Sequence, residues 1–346
     1  MWWNNYFHFQ MIDLINILSN INFQYYRSLL SNQSQKVYDK LYYKMLRCEK
    51  IIAIPFIVED EIKKIFKFVL LDNPVIFYVR SATYQIVNQK YCNAVLPNYR
   101  FNKVEIDATI NAIAKKHSGF IRTNRSMSDL LKEECVHNYL IETIVYDENY
   151  KSSSFECVGP LLFGRGVCSG ISKATKMLLN LLGMNSLIIT GKSHQNLSGD
   201  ESHAWNLILL DGLYYHLDVT FDLTLTQGKI VRFDYFNLSD AEILEDHEFQ
   251  PKSLPFCRAS RSYYVVNHFT MLSPADLYKF LNMQLTSDRK DIVFKLPYTT
   301  NFERTQEKVC QITEDCLKTN CKHPARYQIS INETQRVFYL HIEYGL

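Results

Sequence analysis

The most regular hydrophobic pattern in the chain lies between residues 168 and 183. Its apolar positions fall at the three- and four-residue spacing of a helix that packs one face on a core. They are Ile171, Ala174, Met177, Leu178, Leu181 and Leu182. Gly183 follows the last of them, as in a helix that ends in a glycine cap, and Gly164 and Gly166 interrupt the residues before it. The pattern predicts a buried helix that begins close to Cys168.

A β-hairpin is predicted between residues 202 and 222. Two runs rich in branched and aromatic side chains flank an Asp-Gly dipeptide at positions 211 and 212, which favours a two-residue hairpin turn. With the turn there, His203 pairs with Thr220. Trp205 then pairs with Asp218, and since paired residues share a face, His203 and Asp218 become diagonal neighbours with backbones ~7–8 Å apart. A slip of one residue would move one of them to the opposite face.

The flanking segments predict an α+β protein of three parts. Residues 1–105 contain two helical patterns. The first is amphipathic and lies in MIDLINILSNI, and the second lies in EDEIKKIFKFVLLDNP and stops at Asn73-Pro74. Two short predicted strands follow, VIFYVR and SATYQIV. Residues 106–250 contain the helix and the hairpin described above. Residues 251–346 begin with a proline-bounded stretch and end on RVFYLHIEY, whose alternation predicts a strand.

Composition narrows the possible functions only a little. The chain of 346 residues has 47% hydrophobic residues and a formal charge of +2, which gives no electrostatic footprint for nucleic acid and no polybasic membrane patch. Its nine cysteines are expected to be reduced, because a chain of this length does not need disulfides to be stable. No signal-peptide pattern and no run of 18 uncharged apolar residues is found, so the sequence predicts a cytoplasmic protein without a transmembrane segment.

Cys168 is the candidate nucleophile. The thiolate is the reactive form of cysteine, and the unpaired amide groups at a helix N-terminus favour it and can also bind an oxyanion. The small neighbours Ser169 and Gly170 are expected to let a substrate carbonyl approach the backbone. The alternative is a buried, unreactive cysteine, which is the commonest state of a free cysteine.

His203 and Asp218 are the candidate base and its orienting carboxylate. A histidine held by a carboxylate has a fixed tautomer and a favoured imidazolium form, which a cysteine nucleophile requires beside it. The alternative is a structural His–Asp pair in a hairpin. His194 and Asp222 are second candidates for the same two roles, and the polar segment KSHQNLSGDES before His203 is expected to be mobile and to cover the cleft.

These segments resemble the transglutaminase-like superfamily, with its papain-like core. GVCSGISKATKMLLNLLGM is similar to the family's cysteine helix, and HAWNLILLDGLYYHLDVTFD is similar to its His-to-Asp hairpin. CVHNYLIETIVYD and FDYFNLSD resemble flanking segments of the bacterial members, and VLLDNPVIFYV does so more loosely. The resemblance covers about residues 127 to 240. It implies a cysteine-bearing helix packed on an antiparallel sheet that bears the histidine and the aspartate.

The resemblance also implies the roles of the three residues. Cys168 is the nucleophile, His203 the general base and acid, and Asp218 the orienting group, with no cofactor and no metal. Phe221 stands where the family commonly has tryptophan, and Ile171-Ser172 replaces a more usual Tyr-Ala pair, so the pocket is expected to be reshaped. Tyr146 is a candidate for the oxyanion site.

The function implied is acyl transfer from a protein or peptide amide through a thioester, with hydrolysis favoured over transfer to an amine. The alternative is a non-catalytic module of the same fold that binds a polypeptide. A metal site formed by Cys310, Cys316, Cys321 and His323 is less favoured, because its spacing lacks the close Cys-x2-Cys pairs of common zinc modules.

Overall fold

Helices and antiparallel sheets alternate along the chain. The computed structural model describes residues 24–194, 201–226, 230–250, 254–298, 301–320 and 325–345. The helices in these ranges are α1 (Tyr25–Ser28), α2 (Asn32–Leu46), α3 (Glu59–Asp72), α4 (Lys103–Asn124), α5 (Asp129–Thr143), α6 (Cys168–Leu181), α7 (Val219–Thr226), α8 (Asp240–Ile243), α9 (Tyr263–Val266), α10 (Pro274–Thr286) and α11 (Phe302–Asn320). A 3-10 turn lies at Ser152–Phe155 and a π-helical turn at Gly159–Phe163.

The strands form four sheets. They are β1 (Ile52–Val58), β2 (Val79–Val87), β3 (Tyr91–Tyr99), β4 (Val145–Tyr146), β5 (Arg165–Gly166), β6 (Ser186–Ser193), β7 (Glu201–Leu210), β8 (Leu213–Leu217), β9 (Phe236–Leu238), β10 (His247–Phe249), β11 (Asp291–Lys295), β12 (Ala325–Asn332) and β13 (Val337–Tyr344). The central sheet has five antiparallel strands in the order β10-β6-β7-β8-β9. The α+β class predicted from the sequence is confirmed.

Helix α6, called the cysteine helix below, packs on this central sheet. Its apolar face is buried as predicted, with Ala174, Met177 and Leu178 fully inaccessible to solvent. Asn206 of β7 binds the helix to the sheet, because its Nδ2 donates to the carbonyl oxygens of Ser172 and Leu187, each 3.1 Å away. The placement of the helix is therefore fixed by polar contacts as well as by apolar burial.

The hairpin of β7 and β8 has the predicted register but is shorter than predicted. Asp211 and Gly212 form its turn with φ of 49° and 82°, and Asn206 pairs with Leu217. The predicted pairing of His203 with Thr220 is wrong, because β8 ends at Leu217 and Val219 begins helix α7.

Asp218 terminates β8, the second strand of the hairpin. Its Oδ1 accepts the backbone N–H groups of Thr220 at 2.9 Å and Phe221 at 3.2 Å. This is the way in which an N-capping aspartate satisfies the free amides of a first helical turn. The aspartate thus lies at the junction of a strand and a helix.

Gly170 in the first turn of the cysteine helix serves packing. It is buried, and a Cβ atom placed on it would lie 2.1 Å from the carbonyl oxygen of Ser154. The expectation that Gly170 leaves room for a substrate is therefore wrong; its missing side chain lets the helix approach the turn at Ser152–Phe155.

Substituting Gly170 is expected to destabilise the protein strongly. Gly170→Ala forces a methyl group into contact with backbone atoms, and overpacking of this kind typically costs about 1–3 kcal/mol or more. Gly119→Ala is the matched control, since Gly119 lies in helix α4 with open space around its Cα and the change favours the helix by roughly 0.5–1 kcal/mol. Urea unfolding of both variants measures the difference, and equal stabilities would contradict the packing role.

The N-terminal elements agree with the sequence in part. The helix predicted to stop at Asn73-Pro74 is α3, which ends at Asp72. VIFYVR is wrongly predicted as a separate strand, because Ile76, Phe77 and Tyr78 are buried in a turn that leads into the single strand β2. The amphipathic helix predicted in MIDLINILSNI lies outside the described residues.

The C-terminal elements form a second layer of helices and sheet. Strands β11, β13 and β12 make a three-stranded antiparallel sheet, covered by α10 and α11 around a separate apolar cluster. The predicted strand RVFYLHIEY is confirmed as β13. Asn332 Nδ2 donates to Asp234 Oδ2 at 3.0 Å and so connects this layer to the rest of the protein. None of the described helices combines the length and the apolar character needed to cross a bilayer.

Candidate active site

Cys168 is the first residue of the cysteine helix. Val167 before it has an extended backbone and donates its N–H to the carbonyl oxygen of Ser154 at 3.0 Å, which fixes the entry into the helix. The thiol is only partly buried. The amides of the first helical turn have no acceptors within their own helix, so they point out of the helix end beside the sulfur.

His203 lies in strand β7 and Asp218 directly after strand β8. His203 Nε2 donates to Asp218 Oδ2 at 2.5 Å, and both side chains are buried. The shared face predicted from the hairpin therefore brings these two groups together. The Cys168 thiol lies close enough to the same imidazole ring to help raise the pKa of His203. Since Asp218 engages Nε2, Nδ1 is the ring nitrogen left for the sulfur.

The electrostatics of this group favour a charged histidine. Burial would lower the pKa of His203, but the charge and hydrogen bond of Asp218, together with Cys168, raise it to about 10. Burial would likewise raise the pKa of Asp218, but His203 and His247 outweigh it and hold that pKa well below its usual range. At neutral pH the structure thus contains an imidazolium and a carboxylate in direct contact.

Aromatic rings surround the imidazole. The Trp205 ring stacks on His203 with centroids 5.7 Å apart, and the Phe221 ring lies 5.0 Å away. Phe221, at the position where the resemblance led us to expect tryptophan, is buried and covers the ring of His203. These rings exclude water from the His–Asp hydrogen bond, which strengthens it.

His247 was not identified from the sequence. It begins the three-residue strand β10, and its Nε2 donates at 3.1 Å to Asp218 Oδ2, the same oxygen that accepts from His203. Its Nδ1 donates to Asp246 Oδ1 at 2.6 Å, and the Tyr235 hydroxyl donates to the same carboxylate. A strand this short has no detectable alternation, so the only available sequence signal was the Asp-His dipeptide itself.

His194 and Asp222, the second candidates for the base and its orienting carboxylate, lie in different environments from His203 and Asp218. His194 lies exposed at the end of strand β6, as expected of a surface residue. Asp222 is buried and accepts from His137 Nε2 and from the Tyr235 amide, each at 3.0 Å, so its carboxylate is used in a structural pair. Most of the segment predicted to cover the cleft, residues 195–200, lies outside the described residues.

Tyr146, the oxyanion candidate, lies close to Cys168 in the fold. It belongs to β4, which pairs in parallel with β5, and its partner Gly166 is two residues before Cys168. Its ring is partly buried against the core. Its role in an oxyanion site stays a prediction.

Two groups in the described part of the chain bring three potential metal-ligand atoms close together. They are His203, Asp218 and His247, and His216, Asp240 and Cys257. In the first group both histidines direct N–H groups at one carboxylate oxygen, which leaves no lone pair for a metal there. In the second, Trp205 donates to His216 Nδ1 and His216 Nε2 donates to Asp240. Hydrogen bonds account for both groups without an ion.

The tail cysteines do not form a cluster in the described residues. Cys316 is buried in helix α11 and its thiol points to the Tyr278 carbonyl, whereas the Cys310 thiol lies beside the side chain of Tyr327. Cys321 and His323, the other two members of the suggested metal site, lie outside the described residues.

Comparison with known proteins finds a family model that matches part of this chain and solved structures with low overall similarity to it. No curated protein is similar enough in sequence to count as a match. A solved structure described as a TGase is 14% identical with a TM-score of 0.30, covering 41% of this chain and 44% of that chain. A candidate cysteine protease from Cytophaga hutchinsonii is 10% identical with a TM-score of 0.27, covering 40% of this chain and 61% of that chain.

A third structure gives a similar result. A candidate protease from Parabacteroides distasonis is 11% identical with a TM-score of 0.22, over 41% of this chain and 34% of that chain. This chain therefore spans less than two thirds of each of these solved chains. The model of the transglutaminase-like superfamily matches residues 120–219, which include Cys168, His203 and Asp218. This match identifies a transglutaminase-like domain in the chain.

Proposed function

We propose that the protein is a cysteine-dependent acyl-transfer enzyme acting on protein or peptide amides, with Cys168, His203 and Asp218 as its catalytic residues. The observation that supports this most directly is the line of contacts from the Cys168 thiol through the His203 ring to the buried Asp218 carboxylate. Nucleophilic catalysis by cysteine uses a base beside the sulfur and a third group that orients the base, which are the roles proposed for these residues. We likewise propose that residues 1–105, 106–250 and 251–346 form three separate domains.

The reaction follows from the positions of the proton and the sulfur. The Cys168 thiolate attacks the amide carbonyl carbon, and the amides at the start of the cysteine helix stabilise the oxyanion. His203 gives its proton to the leaving nitrogen as the carbon–nitrogen bond breaks and a thioester forms. Water then loses a proton to His203 and attacks the thioester. The carbon–sulfur bond breaks, which releases a carboxylic acid that ionises in water and restores the Cys168 thiolate beside the protonated His203.

Hydrolysis is the favoured outcome, and transfer to an amine is the second. Both outcomes share the thioester and differ only in the acceptor. Proteolysis, deamidation of glutamine and cross-linking to lysine therefore require the same three residues. A non-catalytic module would require none of them to be reactive.

Selective alkylation of Cys168 tests the proposed nucleophile. Brief treatment with iodoacetamide at pH 6 to 7 is expected to modify Cys168 at least ~10-fold faster than the other eight cysteines, because a charged imidazole ring beside a cysteine activates its sulfur as a nucleophile. Peptide mass spectrometry reads the rates, and the partly exposed thiols Cys48, Cys135 and Cys310 are internal controls. Equal rates at these four positions would contradict the proposal.

The acceptor is identified by incubating the protein with a mixture of peptides in H₂18O, with and without a primary amine. A protease yields new 18O-labelled C-termini, and a deamidase yields 18O-labelled glutamate at former glutamines. A transferase incorporates the amine with loss of ammonia. A Cys168→Ala protein is the blank, and products that persist in it would belong to another source.

A further inference from the structure

His247 lies between two carboxylates in the interior of the protein. Its Nε2 is 3.1 Å from Asp218 Oδ2 and its Nδ1 is 2.6 Å from Asp246 Oδ1. The His247 ring and Asp218 are fully inaccessible to solvent, and the Asp246 side chain is 7% exposed. Water therefore does not compete for either hydrogen bond.

This arrangement requires His247 to be charged. A neutral imidazole has one N–H, whereas both ring nitrogens here face an oxygen that accepts. His216 in the neighbouring strand shows the other state: Trp205 donates to its Nδ1 at 3.0 Å, so the ring donates only through Nε2, to Asp240. The two buried histidines thus differ in charge because their second partners differ.

The side chains around His247 also favour its charged form. Burial would lower the pKa of His247, but the hydrogen bonds and charges of Asp218 and Asp246 outweigh burial and raise it. The rings of Trp205 and Phe221 lie 4.9 Å and 4.6 Å away and keep the site dry. The titratable groups that face His247 from its own and the surrounding elements are Asp218, Asp246, His203, His216 and Tyr235.

We propose that His247 is a positioning residue for the catalytic group: as an imidazolium anchored by Asp246, it binds the same oxygen of Asp218 as His203 does and takes part of that carboxylate's charge away from His203. This rests on the proposed function. A histidine that holds its proton too tightly is a poor acid toward the leaving nitrogen, because proton donation is best when the acid's pKa lies near the working pH. Sharing Asp218 between two rings weakens its hold on the His203 proton.

The test is the titration of individual histidines by NMR on the full chain labelled with 13C and 15N in its histidines. A Cys168→Ala background removes the contribution of the sulfur. In that background, His247→Gln keeps a donor to Asp218 but removes the charge, and the midpoint of His203 is expected to rise by about one to two pH units for rings 5.4 Å apart. An unchanged or lowered midpoint would overturn the proposal.

Two further measurements complete the test. His341→Gln is the matched control, because His341 is also paired with an aspartate, Asp291, at 2.7 Å but lies in the C-terminal sheet; it should leave the His203 midpoint unchanged. If His247→Gln does not fold, the 15N signals of His247 in the unsubstituted protein decide: both nitrogens are expected to carry protons at neutral pH, and a neutral ring would overturn the proposal. Neither readout uses catalysis. Failure to alkylate Cys168 selectively would therefore refute the proposed function, whereas these outcomes concern His247 alone.

Discussion

His203→Ala is expected to abolish the selective reactivity of Cys168 and to reduce amide turnover by at least ~10³-fold. The substitution removes the imidazolium that stabilises the thiolate. It also removes the acid that protonates the leaving nitrogen, so both the formation of the nucleophile and the breakdown of the intermediate suffer. The alkylation rate of Cys168 at pH 6 should fall by about 10- to 100-fold, toward that of an ordinary thiol, since a lower thiolate fraction is partly offset by higher intrinsic nucleophilicity.

The control for this substitution is His341→Ala. His341 pairs with Asp291 at 2.7 Å, so the control also removes an aspartate-bound ring, but one in the C-terminal sheet. Its alkylation profile should match that of the unsubstituted protein. If His203→Ala kept full selectivity at residue 168, the sulfur would owe its reactivity to the helix end alone and the proposed base would be wrong.

The central features of the site are local in sequence, and for that reason they could be predicted. The apolar stripe of the cysteine helix repeats for three turns and ends at Gly183, whose φ of 83° needs a glycine. The hairpin turn is fixed by Asp211 and Gly212, and its register brings the end of β8 beside β7, so that Asp218, the next residue, contacts His203. The α+β class and the helix on the sheet follow from these two patterns, and the structure has both.

The remaining features depend on contacts between distant segments. His247 reaches Asp218 because β10 joins the edge of the central sheet by pairing with β6, where His247 lies opposite Ser193. No periodicity within three residues can predict such pairing. The close packing of Gly170 on Ser154 likewise cannot be read from the sequence, because a glycine near a cysteine equally suggests space for a substrate.

Asp218 illustrates how a strand prediction fails because of a local side-chain contact. Alternation continues through residues 217 to 220, and so favours a strand, yet the carboxylate binds the amides of Thr220 and Phe221 and turns the chain into helix α7. One oxygen of Asp218 thus fixes the backbone while the other faces the histidines. The two capping bonds hold the carboxylate in place beside His203.

Asp218→Asn is therefore expected to retain the fold and to lose activity, by about 10⁴-fold if the tautomer of His203 controls the reaction. The amide oxygen can still accept the two backbone N–H groups. Its NH₂ group, however, now faces His203 Nε2, which must become an acceptor; the proton then moves to Nδ1, and the ring can no longer take a proton from the sulfur. Asp240→Asn is the matched control. Asp240 accepts a hydrogen bond at 2.9 Å from His216, which lies in strand β8 of the same sheet. Loss of the Asp240 charge should leave the alkylation of Cys168 selective.

The pH dependence of the free energy of unfolding distinguishes a loss of the Asp218 charge from a general disruption of the fold in Asp218→Asn. His203 has a pKa of about 10 in the folded protein, above its ordinary value of ~6.5, so its contribution is complete below pH ~6.5 and is lost as the pH rises toward 10. The free energy of unfolding from urea titrations should accordingly decline by a few kcal/mol between pH 6.5 and 10 in the unsubstituted protein and in Asp240→Asn. In Asp218→Asn the decline should be much smaller, because the neutral amide no longer holds the proton on His203. A decline of equal size in Asp218→Asn would mean that Asp218 does not stabilise the charged ring.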